Sequence, residues 1–337
     1  MMDKINIGLI GYGYWGKNVL RNLVNNRLSG TITVADQNET QINSLQSIYS
    51  SLEVTTDNNY ILTHADIRAV VIATPTSSHF PIAKAALLNN KHVLVEKPMC
   101  TSAEEVQVLI QLAADRNLVL MVDHIYLYNP VVRQLKNYIT PSFLGRINYI
   151  DTTRINLGIY QDDTNVLWDL ACHDLSIINY LVDEKPISVR AIGRINPVHG
   201  VEDIAYLFLY YSNETLVQIN SSWASPVKMR KMIIGGEKRM IIYDDIESTN
   251  KLIIYDYEHA QNSDPSKSKL IDYRLGDITI PKYEISEALS NVVDEFYSCI
   301  LHQKQPLANG ENALAVVRIL EKAQESLKLN GAIIPLH

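Results

Sequence analysis

Three closely spaced glycines near the start of the chain constrain its fold more than any other feature. Residues 11–16 read Gly-Tyr-Gly-Tyr-Trp-Gly, between an apolar strand-like run at 4–10 and a helical pattern at about 14–27. The first glycine of such a pattern permits a tight turn, the second lets the backbone approach a pyrophosphate, and the third allows close helix packing. The helix N-terminus attracts negative charge. The pattern therefore predicts a dinucleotide site at the first strand–helix turn.

The alternation of strands and helices continues to about residue 122. Strand-like runs lie at residues 4–10, 31–35, 69–73, 92–95 and 118–122, and helical patterns at about 14–27, 39–49, 78–90 and 102–116. This alternation is typical of a doubly wound parallel sheet. We therefore expect residues 1–124 to form an α/β dinucleotide-binding domain of the Rossmann type.

After Pro130 this alternation ends. Strand-like runs follow one another, at residues 146–155, 202–211, 215–222, 229–234 and 239–243, before two helical patterns at about 284–302 and 311–329. Successive strands favour antiparallel pairing. We expect residues 125–337 to form an α+β domain with a large, mostly antiparallel open sheet. Apolar residues occupy both faces of the run 202–211, which predicts a homodimer or homotetramer that covers this sheet.

The composition excludes several classes of partner. A net charge of −7 offers no electrostatic basis for binding nucleic acid or an anionic membrane surface. No apolar run approaches the roughly 20 residues of a membrane span. The three cysteines are far apart, which argues against disulfides and structural zinc, and no histidine pair has metal-ligand spacing. We expect a cytoplasmic protein without a bound metal.

An acidic residue follows the second predicted strand. Asp36 lies 20 residues beyond Gly16, where a carboxylate accepts hydrogen bonds from the adenosine ribose hydroxyls. Gln37 follows and no arginine is adjacent, so a 2′-phosphate is disfavoured and NAD is predicted over NADP. The alternative is that Asp36 only caps the next helix.

Lys97 directly follows the Glu96 that ends the strand-like run 92–95. The carboxyl ends of parallel strands face the ligand crevice, so Lys97 is predicted to point toward the cofactor. The alternative is a solvated lysine at a strand end.

Asp169 and His173 lie four residues apart in a predicted helix that continues to Leu181, and therefore share one face. A carboxylate one turn away positions an imidazole, which suits a general base for a hydroxyl proton. The alternative is a structural His–Asp pair. Asp174 points off this face, and we expect it to make a cap or backbone contact.

Four motifs in this order resemble those of the Gfo/Idh/MocA family, which includes glucose-fructose oxidoreductase and inositol 2-dehydrogenase. They are the glycine segment 11–16, Ala73-Thr74-Pro75, Glu96-Lys97-Pro98 and Asp169-x-x-x-His173-Asp174. The resemblance covers nearly the whole chain. It implies an NAD-dependent oxidoreductase that acts on CH–OH donors.

The resemblance also implies roles for individual residues. His173 removes the hydroxyl proton while a hydride leaves for C4 of the nicotinamide, Lys97 stabilises the alkoxide, and Asp169 orients His173. An alternative makes Lys97 the proton acceptor. Relatives often have a cis bond before Pro98. Cofactor contacts are implied for Gly11, Gly13, Tyr14, Trp15, Gly16, Asp36, Thr74, Pro75, His79, Glu96 and Lys97.

Within the family, residues 156–161 and 222–230 look like the branch associated with sugar nucleotides. The expected reaction is oxidation of the 3-hydroxyl of a UDP-N-acetylhexosamine or its uronic acid. The alternatives are a polyol or free-sugar dehydrogenase or reductase, an NAD-dependent glycosidase, and a non-catalytic NAD-binding regulator. Arg154 is the main candidate for the diphosphate, while Lys228 and Arg230 alternatively lie on a solvated edge strand. Substrate contacts are expected from Arg154, Asn156, Tyr160, Trp168, His173, Lys228 and Arg230.

Overall fold

The computed structural model describes residues 4–158, 164–260 and 272–336. The chain divides into two compact units, Met1–Asn129 with Ser286–Arg318, and Pro130–Ile285 with Ile319–His337. Each unit contains its own sheet.

The first unit is built on a parallel sheet. Its strands are β1 (Ile5–Ile10), β2 (Ser29–Ala35), β3 (Glu53–Thr55), β4 (Ala69–Ile72), β5 (His92–Val95) and β6 (Leu120–Val122), in the order β3-β2-β1-β4-β5-β6. The helices between them are α1 (Tyr14–Asn25), α2 (Glu39–Ile48), α3 (Asn58–Thr63), α4 (His79–Leu88) and α5 (Ala103–Asp115). This doubly wound arrangement confirms the predicted Rossmann fold. The sequence patterns missed β3 and α3, which are too short to show a clear period.

The second unit contains a larger sheet. Its strands are β7 (Ile147–Leu157), β8 (Ser188–Ile195), β9 (Glu202–Tyr210), β10 (Leu216–Ser222), β11 (Ala224–Gly236), β12 (Arg239–Asp244), β13 (Leu252–Ala260), β14 (Asp272–Thr279) and β15 (Ile334–Pro335), in the order β14-β13-β12-β11-β7-β10-β9-β8-β15. The β7–β10 pair is parallel and the other described pairs are antiparallel. The predicted, mostly antiparallel sheet is thus confirmed.

Four further α-helices lie within the described residues. They are α6 (Pro130–Tyr138), α7 (Cys172–Leu181), α8 (Ala288–His302) and α9 (Gly310–Lys328). Among the described helices, none combines the length and apolar character that a membrane span needs.

Helix α8 belongs to the first unit, although the division predicted from sequence placed all of 125–337 in the second domain. The reason is its packing on α1 and β2. Arg21 of α1 forms an ion pair with Glu287, which precedes α8. The hydroxyl groups of Ser29 and Tyr297 are 2.7 Å apart and buried. The C-terminal segment therefore contributes to both compact units.

Candidate active site

The turn after β1 has the geometry that a dinucleotide requires. Gly11 has a φ of 99°, and a Cβ there would lie 2.5 Å from the carbonyl oxygen of Ala73. A Cβ on Gly16 would lie 2.2 Å from the carbonyl oxygen of Gly11. Around a Cβ on Gly13, by contrast, no described atom lies within 4 Å. The first and third glycines are thus required by the backbone, and the second borders open space.

The N-terminus of α1 directs its amides toward this space. Gly13 is the N-cap residue, and within the described residues no side chain caps the helix or places an acid in its first turn. The first amides of a helix lack partners within the helix, and the helix dipole favours an anion there. These residues therefore fit the pyrophosphate of NAD.

Asp36 follows β2, as predicted, and two backbone amides hold its carboxylate. Oδ2 accepts a hydrogen bond from the Tyr12 amide at 2.7 Å, and Oδ1 accepts one from the Asn38 amide at 2.9 Å. The N-cap of α2 is Asn38, whose side chain accepts from the Gln41 amide at 3.2 Å, so the capping alternative for Asp36 is wrong. Because each carboxylate oxygen accepts more than one hydrogen bond, Asp36 retains capacity for ribose hydroxyls.

His79 links two loops of the first unit. Its Nδ1 lies 2.9 Å from the carbonyl oxygen of Pro98, and its Nε2 lies 2.8 Å from that of Thr74. The ring is only 1% exposed. The resemblance implied that His79 contacts the cofactor, but the structure uses both ring nitrogens on the backbone. His79 therefore joins the loop that contains Thr74 and Pro75 to the loop that contains Lys97 and Pro98. The Lys97–Pro98 peptide bond is cis.

Two carboxyl groups lie side by side at the carboxyl ends of β5 and β6. Val95 and Val122 are register partners, and Glu96 and Asp123 are the residues that follow them. The Asp123 amide extends the ladder by donating to the Val95 carbonyl at 2.8 Å. The Asp123 carboxyl is within hydrogen-bonding reach of the Glu96 carboxyl. Trp15 Nε1 also donates to Asp123 Oδ2, at 3.2 Å.

This environment shifts the protonation of three side chains. Burial, followed by the charge of Asp123, raises the pKa of Glu96 well above its usual range, and burial also raises the pKa of Asp123. Lys97 acts on both carboxyls in the opposite direction. Burial and then Lys97 lower the pKa of His124 to about 3. The sequence placed Glu96 and Lys97 here but missed Asp123, although its position after a strand was a usable signal.

In the second unit, the segment with Asp169 and His173 is not one continuous α-helix. Residues Leu167–Ala171 form a π-helical turn in which the Cys172 amide donates to the Leu167 carbonyl, and α7 begins at Cys172. This corrects the continuous helix predicted from sequence, because the turn holds one residue more than an α-helical turn. Such π-helical turns are frequent at functional sites.

Asp169 is anchored by an aromatic side chain. Trp223, which follows β10 and is 1% exposed, donates its Nε1 hydrogen to Asp169 Oδ2 at 2.9 Å. The sequence placed Trp223 only within a substrate motif and missed this contact. His173 lies in the first turn of α7 and is half-buried. Asp169 and His173 therefore occupy successive turns of different helical type.

Arg154 and Asp174 form a buried ion pair. Arg154 Nε donates to Asp174 Oδ2 at 2.8 Å and Nη2 donates to Oδ1 at 3.0 Å, and the two side chains are 4% and 5% exposed. This corrects two expectations. The guanidinium of Arg154 is committed to Asp174 rather than to an external diphosphate, and Asp174 makes an ion pair rather than a cap or backbone contact.

The other predicted substrate residues lie along β11 and near the π-helical turn. Strand β11 lies between β12 and β7, but its pairing with β12 begins at Lys231 and its register with β7 shifts between Ala224 and Met229. The part of β11 with Lys228 and Arg230 therefore extends beyond the strand β12, which agrees with the solvated-edge alternative. Lys228 is exposed, and Arg230 Nη1 lies 3.5 Å from Asp245 Oδ2. Asn156 lies in β7, Trp168 is buried in the π-helical turn, and Tyr160 lies outside the described residues. Within the described ranges, no three His, Cys, Asp or Glu side chains are placed to hold a metal ion.

The fold and the first unit's site define an NAD-binding oxidoreductase with a Rossmann domain. The chain belongs to the Gfo/Idh/MocA oxidoreductase family. The family model for the NAD-binding Rossmann fold matches residues 5–124, and that for the C-terminal domain matches residues 132–242.

Sequence comparison places sugar and polyol dehydrogenases among its relatives. The chain is 31% identical to UDP-N-acetylglucosamine 3-dehydrogenase of Acidithiobacillus ferrooxidans over 55% of this chain and 58% of that protein. It is 22% identical to inositol 2-dehydrogenase of Rhizobium meliloti over 96% of this chain and 97% of that protein. These relatives support a sugar dehydrogenase in the general sense.

The solved structure of the Acidithiobacillus ferrooxidans enzyme GnnA has the same fold. It superposes with a TM-score of 0.81 at 23% identity, over 98% of this chain and 99% of that chain. At this identity the match supports the fold.

Proposed function

We propose that this protein is an NAD-dependent dehydrogenase that oxidises the 3-hydroxyl of a UDP-N-acetylhexosamine or its uronic acid. The observation that supports the substrate class most is the 31% identity to a UDP-N-acetylglucosamine 3-dehydrogenase. That match covers just over half of each chain, so the assignment to this substrate is our inference.

The proposed chemistry divides between a proton acceptor and an electrostatic group. His173 accepts the proton of the substrate hydroxyl, and Asp169, held by Trp223, offsets the charge of the resulting imidazolium. Lys97 donates a hydrogen bond to the oxygen on which negative charge develops. When bound, NAD supplies the hydride acceptor.

Positive charge for the diphosphate is proposed to come from β11. Because Asp174 occupies Arg154, the exposed Lys228 and the partly exposed Arg230 are the remaining predicted cations. Charge-assisted hydrogen bonds to phosphate contribute about 1.5–3 kcal/mol each.

Turnover followed by NADH absorbance tests this proposal. UDP-N-acetylglucosamine and its uronic acid should be oxidised, and N-acetylglucosamine and myo-inositol should not. Lys228→Ala should raise the KM for the nucleotide sugar about tenfold with less change in kcat. Lys185→Ala, which removes another exposed lysine of the same unit, is the control. Equal turnover of the free sugar, insensitive to Lys228→Ala, would refute the sugar-nucleotide assignment.

The two catalytic assignments have their own test. Lys97→Ala and His173→Ala should each reduce turnover about 10²–10⁴-fold while calorimetry still detects NAD binding. If both variants lose less than tenfold, the glycosidase or regulator alternatives replace the dehydrogenase.

A polyol or free-sugar dehydrogenase is the second candidate. The match to inositol 2-dehydrogenase extends over 96% of this chain, although at 22% identity. Turnover of myo-inositol in the same assay would favour this candidate.

We also propose that a second copy of the chain covers the large sheet. One face of β9 is buried, while the other exposes Tyr206, beside Ile192 of β8. These two side chains are 37% and 41% exposed, and Leu216 of β10 is 43% exposed. Light scattering at micromolar concentration should give the mass of a dimer or tetramer, and a monomer would refute this.

A further inference from the structure

Glu96 and Asp123 form a carboxyl pair that the proposed chemistry leaves without a role. They follow register partners at the carboxyl ends of adjacent parallel strands, where neighbouring backbones lie about 4.8 Å apart. Asp123 is 3% exposed. Two ionised carboxylates at this distance, shielded from water, repel each other strongly, and sharing a proton removes that repulsion.

The surrounding donors hold the pair in place. Trp15 Nε1 donates to Asp123 Oδ2 at 3.2 Å, and the Lys97 amide donates to Glu96 Oε2 at 3.3 Å. The pair is thus fixed to the start of α1 on one side and to the backbone of Lys97 on the other.

We propose that Glu96 and Asp123 share one proton and act as a single monoanion that positions the ammonium group of Lys97. This inference rests on the proposed function, in which Lys97 stabilises the alkoxide. Glu96 and Asp123 are positioning residues here, because they act through Lys97.

Lys97 is the cation that this monoanion holds. The titratable groups near Lys97 and the pair, among the described residues, include His79 and His124. Burial lowers the pKa of both histidines, which disfavours a positive charge on either ring. A monoanion next to an ammonium group favours the charged form of the lysine and restricts where it sits.

Amide substitutions distinguish a carboxyl pair that shares one proton from a pair that carries two independent charges. Glu96→Gln and Asp123→Asn each leave one carboxylate with an amide donor beside it, so each keeps the single negative charge. We expect each single variant to lose less turnover than the double variant, since one hydrogen bond replaces another. The double variant removes the charge and should lose about tenfold or more, because a misplaced catalytic group is costly. Its alkaline limb in the pH–rate profile should move to lower pH.

Infrared spectroscopy of the NAD-free protein at neutral pH tests the proton directly. The wild type should show a protonated-carboxyl C=O band that disappears in both single variants. Asp115→Asn, which alters an exposed carboxylate of α5 in the same unit, should keep the band.

Three results would overturn the proposal. These are absence of the band in the wild type, single-variant losses that multiply to the loss of the double variant, and an unchanged pH–rate profile in the double variant. If instead Lys97→Ala retains turnover, the catalytic role in the proposed function is refuted, while the infrared band still reports on the shared proton independently.

Discussion

The two units compensate their buried carboxylates in different ways. In the first unit, Glu96 faces the carboxyl of Asp123, and a proton reduces the charge. In the second unit, Asp174 faces the guanidinium of Arg154 through two hydrogen bonds. Asp123 and Asp174 are both buried, but the first arrangement changes with pH, whereas an arginine stays protonated at any ordinary pH. The partner of a buried carboxylate therefore determines whether the site responds to pH.

The largest expected effect comes from breaking the ion pair of the second unit. Asp174→Ala leaves the Arg154 guanidinium buried without its counter-charge, which should lower the free energy of unfolding by about 3–5 kcal/mol. Urea denaturation measures this. The control is Asp183→Ala, whose side chain is 96% exposed in its pair with Lys136 and which should cost well under 1 kcal/mol. Equal losses of unfolding free energy in the two variants would contradict the distinction between a buried and an exposed ion pair.

The carboxyl pair of the first unit should have an intermediate effect, on the pH dependence of the free energy of unfolding. Because the pKa of Glu96 is raised in the folded state, the folded protein binds its proton more tightly than the unfolded chain does. That stabilisation is fully present below the unfolded pKa of about 4.3 and is lost as pH rises through the folded pKa, by up to about 1.4 kcal/mol per pH unit.

Denaturation of the wild type and Glu96→Gln, at pH values from about 4.3 upward, tests whether this contribution to stability falls or grows with pH. The stability advantage of the wild type over the variant should shrink as pH rises from about 4.3. An advantage that grows with pH would show that Glu96 is ionised in the folded protein.

The smallest effect should come from a third carboxylate, which has backbone amides as partners. Asp36 is partly exposed and accepts from the amides of Tyr12 and Asn38. Asp36→Ala should reduce the preference for NAD over NADP by about tenfold, through weaker NAD binding and relief of repulsion toward a 2′-phosphate. Calorimetric titration with both cofactors measures this. Equal affinities in the wild type would show that Asp36 does not select the cofactor.

The sequence predicted the features that local patterns encode. The glycine turn, Asp36 and the position of Lys97 each depend on neighbours within one strand–turn–helix unit, and the structure has them after the predicted strands.

Features that depend on distant residues were missed. Arg154 and Asp174 are 20 residues apart on a strand and a helix, and Asp169 and Trp223 are 54 residues apart. The hydrophobic periodicity of a strand or helix carries no information about contacts between residues so far apart in sequence. Arg154 was therefore assigned to a diphosphate on its charge and on its position at the end of a strand ahead of the Asp169 segment, and Asp174 was given a local contact.

Because Leu167–Ala171 form a π-helical turn, the number of residues in this segment determines the direction in which Asp169 points. Each residue of an α-helix adds about 100° of rotation. Deleting one residue between Asp169 and Cys172 would restore α-helical hydrogen bonding and rotate Asp169 relative to α7, away from Trp223, while the link between Asp174 and Arg154 stays in place. The deletion of a single residue would then separate the Asp169 carboxylate from the Trp223 indole. Helix α7, which carries His173, would stay packed on the sheet.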